Sequence, residues 1–117
     1  MRVVRAAELR DETKWKHGMW ITVVGVVLMR QRPATASGIV FMTLEDETGI
    51  ANLIVRPSVY QKYRAAARHG VILLARGRVE RQGQVVHVMT HRIEDVQHLQ
   101  TKSQRGEPFR IRSRDFR

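Results

Sequence analysis

Apolar and polar positions alternate with a period of two through much of the chain, and the places where that period breaks divide it into segments. Residues 19–32, MWITVVGVVLMRQR, form a long run rich in Val and Ile with Gly25 in its middle. β-branched residues favour a pleated strand, and a glycine inside one marks a bend or bulge. A long first strand bent at its centre is what a small barrel needs in order to close. The Pro, Ser, Thr and Gly content of residues 31–38, QRPATASG, predicts a loop. Residues 39–46 and 50–55 predict two strands joined through Glu47-Thr48-Gly49, a tight hairpin turn with Gly49 suited to positive φ. Across residues 57–69 the pattern turns helical. Pro57 fits a first turn, Val59, Tyr63 and Ala66 share one face, and Gly70 suits a C-terminal stop. Residues 71–81 and 84–93 predict a second hairpin around Gln82-Gly83.

Three strands, a helix and two further strands permit one well-known arrangement. It is an all-β, five-stranded OB-fold Greek-key barrel with one helix between strands three and four. Residues 1–18 read as a charged lead-in with one short helical turn. Residues 19–100 read as the barrel domain. Residues 101–117, with six basic and two acidic side chains, read as a basic, mobile tail. A chain of 117 residues fits one domain with a core of its own.

Charge adds the first functional hint. Lys and Arg number 21 against 11 Asp and Glu, a formal net charge of +10. Such an excess favours polyanions, and Arg offers both a fork for phosphates and a flat face for bases. The absence of cysteine excludes disulfides and thiolate metal sites, and it suits a cytoplasmic location. The longest apolar run, residues 19–29, is about half the length that spans a bilayer, so no membrane association is expected.

Catalytic constellations are weak. Glu45, Asp46 and Glu47 could gather Mg²⁺, but they sit at a hairpin tip where acidic residues are ordinary. His87 and His91 share a strand face at about 13 Å, too far apart for one metal. Ser37, Ser58, Ser103 and Ser113 lack a nucleophile-elbow context, and no phosphate loop or dinucleotide fingerprint is present. No catalytic residue, metal or cofactor is expected.

A basic and aromatic face is the better candidate. Pairing strands two and three around their turn puts Val40, Met42, Leu44, Ala51, Leu53 and Val55 on one face, a continuous apolar set. The other face receives Phe41, Thr43, Asn52, Ile54 and Arg56. A flat ring stacks on bases, an amide reads base edges, and a guanidinium neutralises phosphate. Arg30 and Arg32 at the loop mouth, with Arg76, Arg78 and Arg81 on strand four, are expected to extend this cationic track.

The segments RQRPATASG, FMTLEDETGIANLIV, GRVERQGQVVHV and the closing SRDF together carry a resemblance. They resemble the C-terminal OB domain of bacterial C-family DNA polymerases, most closely the error-prone alpha-subunit paralogue of damage-induced mutagenesis. A broader likeness extends to the anticodon-binding OB domains of class II aminoacyl-tRNA synthetases. There an aromatic on strand two and an amide on strand three hold a nucleotide, and Phe41 and Asn52 match those places. The resemblance implies a module that holds single-stranded DNA template near a polymerase. The family's catalytic aspartates lie upstream and have no counterpart here. It also implies a sliding clamp and an inactive Y-family-like protein as partners. Position 56 is Arg where relatives carry an aromatic, often Trp, before the proline. Two other readings stay open. One is a protein-docking module, with Phe109, Ile111 and Phe116 of the tail as a peptide ligand; the other is an RNA-binding domain of the anticodon type.

Overall fold

The computed structural model describes residues 3–34 and 37–96. The β-branched and alternating segments form five strands: β1 (Trp20–Gln31), β2 (Val40–Asp46), β3 (Gly49–Val55), β4 (Ile72–Gln82) and β5 (Val85–Asp95). They close into a barrel in the order β1-β2-β3-β5-β4. β3 and β5 run parallel and every other pairing is antiparallel. Both expected hairpins are present, and the helical residues lie between β3 and β4.

Closure depends on β1, which serves two partners. Trp20–Val26 pair with β4, and Val26–Gln31 pair with β2. Gly25 sits where the strand changes partners. A Cβ there would lie 2.6 Å from the Glu45 carbonyl oxygen, so only glycine lets β1 and β2 approach this closely. The register shift itself falls further along, between Val27 and Met29.

The alternation of β2 and β3 matches the expected one. Val40, Met42 and Leu44 on β2, with Ala51, Leu53 and Val55 on β3, are buried and fill the barrel. The helical segment differs from a single helix over residues 57–69. It forms α1 (Pro57–Lys62) and α2 (Arg64–His69), separated at Tyr63, whose φ of −111° and ψ of 36° leave the helical region. The break lets Val59 and Ala67 both enter the core while the Tyr63 ring packs against the same cluster. Gly70 follows α2 in an extended conformation, φ −65°, so the stop is not a left-handed one. Its Cβ would fall 2.4 Å from Leu73 Cδ2, and the glycine is there to make room.

Residues 3–18 pack onto the barrel. A 3-10 helix, Ala6–Arg10, follows Val4; Val4, Ala6, Leu9 and Trp15 are buried in the main core. Polar contacts fix this segment. Asp46 Oδ2 accepts from the Ala6 amide at 2.7 Å, and Thr48 Oγ1 accepts from the Ala7 amide at 3.0 Å. Residues 35–36 of the expected loop and the expected tail, with Ser103, Phe109, Ile111, Ser113 and Phe116, lie outside the described residues.

Candidate nucleic-acid interface

Because β2 and β3 turn one set of side chains inward, the alternate set forms an outward row. Phe41 pairs with Ile54, and Thr43 pairs with Asn52. All four are half-buried. Thr43 Oγ1 donates to Asn52 Oδ1 at 3.3 Å, which holds the amide and leaves its N–H donors for a ligand. A groove of about 250 Å³ opens beside Asn52, between the 3-10 helix and the β4–β5 hairpin. Leu9, Arg10, Ile50, Val85 and Val86 line it, apolar walls with one cation. An amide donor at the edge of an apolar groove suits a flat heterocycle with carbonyl acceptors.

The outward row continues past β3. Ile54 pairs with Met89 on β5, Met89 with Arg78 on β4, and Arg78 with Trp20 on β1. Trp20 stands out as an aromatic of which 43% is exposed, more open than Phe41. Arg78 and Arg76 place their guanidinium carbons 4.9 and 5.4 Å from its ring centroid. The His91 ring lies 4.8 Å away, tilted by 55°. Arg56 Nη2 in turn lies 3.5 Å from His91 Nδ1. A β-bulge makes this grouping possible. Arg76 pairs with Arg92 and Gly77 with Thr90, so His91 is the extra residue. A Cβ at Gly77 would sit 2.1 Å from the Met89 carbonyl oxygen, so the bulge needs glycine there.

The local field follows from Arg56 and Arg78 beside one imidazole, with Arg76 over the neighbouring Trp20 ring. Burial, with Arg56 and Arg78 close by, pushes the His91 pKa below its ordinary value. The ring therefore stays neutral near pH 7, and the net local charge is positive. Arg76 Nη1 also donates to Thr22 Oγ1 at 3.1 Å, which satisfies that buried hydroxyl and fixes the Arg76 side chain.

The ten residues expected to bind do not form one site. Phe41, Thr43, Asn52, Ile54 and Arg56 share the outward surface, and Arg76 and Arg78 join it through Trp20 and His91. Arg30, Arg32 and Arg81 are placed elsewhere. Arg30 donates through Nε to the Ala67 carbonyl at 2.6 Å and through Nη2 to the Gly70 carbonyl, tying β1 to the end of α2. Arg32 lies over the Tyr60 ring, 4.8 Å from its centroid, in a separate basic cleft with Arg64 and Arg68. Arg81 donates to the Trp15 carbonyl at 2.9 Å through Nε and to the Leu9 carbonyl through Nη2, pinning the N-terminal segment. Side-chain parity accounts for Arg30: it pairs with the inward-facing Met42, whereas Gln31 pairs with Phe41. Trp20, His91 and Met89 were not among the residues expected to bind. Trp20 opens an apolar run that reads as buried, and only its pairing with Arg78 shows otherwise.

The acidic hairpin tip has a structural occupation. Asp46 Oδ1 accepts from the Thr48 amide at 2.8 Å, from Thr48 Oγ1 at 2.7 Å and from the Gly49 amide at 3.1 Å. Among the described residues no three His, Asp or Glu side chains come together in a way that could hold a metal ion. No described helix is long and apolar enough to cross a membrane.

The chain is 52% identical over 96 residues to the error-prone DNA polymerase of Anaeromyxobacter dehalogenans strain 2CP-1, covering 82% of this chain and 8% of that protein. It is 39% identical over 109 residues to error-prone DNA polymerase 1 of Agrobacterium fabrum, 92% of this chain and 10% of that protein. The chain thus spans about a tenth or less of these relatives. In three dimensions it resembles asparaginyl-tRNA synthetase from Pyrococcus horikoshii, with a TM-score of 0.67, 20% identity, and coverage of 83% of this chain and 23% of that one. A replication protein A heterotrimer bound to single-stranded DNA gives a TM-score of 0.52 at 22% identity, over 68% of this chain and 57% of that one. Both likenesses are likenesses of fold. Residues 21–96, most of the barrel, match the family described as the OB-fold nucleic acid binding domain, and the chain belongs to that family.

Proposed function

We propose that this chain is a single-stranded DNA-binding module that holds template for an error-prone polymerase and has no catalytic activity of its own. The observation that carries the reading is the outward row Phe41, Thr43, Asn52 and Ile54, which ends on Arg56 and lies over a filled barrel. It combines a stacking ring, an amide donor and a cation on one surface, which is what an unpaired strand requires. The polymerase relatives supply the setting. Polymerisation, and any contact with a sliding clamp or an inactive Y-family-like partner, are assigned to the remainder of such proteins. A cytoplasmic location suits that setting.

The test is fluorescence anisotropy of labelled oligo-dT titrated with the 117-residue chain at two salt concentrations. Binding should weaken steeply with salt, the slope of log K against log salt falling by about 0.7 for each neutralised phosphate. Phe41→Ala should cost roughly 1–3 kcal/mol. Salt-independent affinity, or a Phe41→Ala chain that binds like the parent, refutes the reading. Tighter binding of a matched RNA strand would favour the anticodon-type alternative, because such a site uses the 2′-hydroxyl.

A further inference from the structure

We propose a second base-stacking station at Trp20, reached by a single strand that leaves the Phe41–Asn52 surface over Arg56 and continues round the barrel. The inference rests on the function proposed above and extends its site to a surface on β5, β4 and β1.

Three observations carry it. Trp20 exposes 43% of its surface within a strand whose next five residues are buried. A large ring in that position contributes little to the core. Second, the ring is held in place by Arg78 at 4.9 Å, Arg76 at 5.4 Å and His91 at 4.8 Å. Both guanidinium groups lie over this half-exposed ring, so a base that stacks on it sandwiches or displaces one of them while its flanking phosphates meet two counter-charges. Third, the two stations are continuous. Phe41 pairs with Ile54, Ile54 with Met89, Met89 with Arg78 and Arg78 with Trp20. Arg56 lies beside this row, against His91 at 3.5 Å. Four strand spacings of about 4.8 Å put the stations roughly 19 Å apart along the surface. That arc lies within the roughly 4–16 nucleotides one OB fold engages.

The basic cleft of Arg32, Arg64 and Arg68 lies against the helices and is not on this row, so it serves as a control surface. Trp15 and Trp20 are the two tryptophans of the chain, and Trp15 is buried. Intrinsic emission therefore reports on Trp20 when a ligand covers the surface.

The experiment compares dT4 with dT12 by anisotropy and by tryptophan emission at low salt. Binding of dT12 should quench emission, and Trp20→Phe should remove most of the quenching. Trp20→Ala should weaken dT12 by about 5- to 100-fold while leaving dT4 within about twofold, because dT4 occupies one station. Phe41→Ala should weaken both lengths. Arg68→Gln should change dT12 affinity by less than about twofold, as for a single distant charge. If Trp20→Ala binds dT12 like the parent, or dT12 binds without altering emission, the second station is overturned while the Phe41 result still supports the module. If neither length binds, both readings fall together.

Discussion

His91 illustrates how one side chain records its neighbours. It is drawn toward the barrel surface by the bulge, sits beside Trp20, and faces Arg56 and Arg78. Burial and the two cations hold its pKa below the ordinary imidazole value. The unfolded chain therefore takes up a proton that the folded one refuses. As pH falls below about 6.5, the unfolded state binds more protons and stability drops, until the folded pKa is passed. His91→Gln should remove that part of the loss. The thermal midpoint of the parent should fall further between pH 7.5 and pH 5.5 than that of the variant. Equal falls would mean that His91 is not held neutral by this environment. The same scale explains why arginines could not be sorted in advance. Arg56 and Arg30 read alike in sequence, yet one lies beside an imidazole on the outward surface and the other is bound to two carbonyl oxygens.

Among the elements, β2 and β3 were the most legible. Their period of two, pinned by the Glu47–Gly49 turn, sorts inward from outward residues before any partner strand is known. The helical segment was less so, because the break at Tyr63 depends on where the core lies. The N-terminal segment was least so. Val4, Ala6, Leu9 and Trp15 follow no strand or helix period, and their burial depends on contacts with distant strands. Arg81 is the key to that segment, since its guanidinium meets the carbonyls of both Leu9 and Trp15. Arg81→Ala should lower stability by about 2–3 kcal/mol, as loss of charge-assisted bonds to backbone carbonyls does. Chemical denaturation measures this. In the same variant the salt slope of oligonucleotide binding should change by much less than the roughly 0.7 that one phosphate contact carries, because Arg81 is not on the proposed binding row. A large fall in slope with unchanged stability would return Arg81 to the binding surface. Asp46→Ala should also destabilise, by about 1–2 kcal/mol, since four donors from the turn and the 3-10 helix lose the two carboxylate oxygens that accept from them.

For the whole molecule, the barrel is a sheet whose two ends are joined by one strand. The hairpins β2–β3 and β4–β5 join residues close in sequence, whereas β1 and β4 join Trp20 to Arg78. Contacts of that separation form slowly because the intervening chain must first be brought together. Besides the short parallel β3–β5 pairing, β1–β4 is therefore a long-range seam of the molecule, slow to knit. Trp20 and Arg78 lie on opposite sides of that seam, so a strand of DNA resting on both would act as a suture. Amide exchange at Ile21–Val24 should slow when the long oligonucleotide is bound and stay unchanged with the short one. A barrel built this way would be most firmly closed while a strand is bound across it.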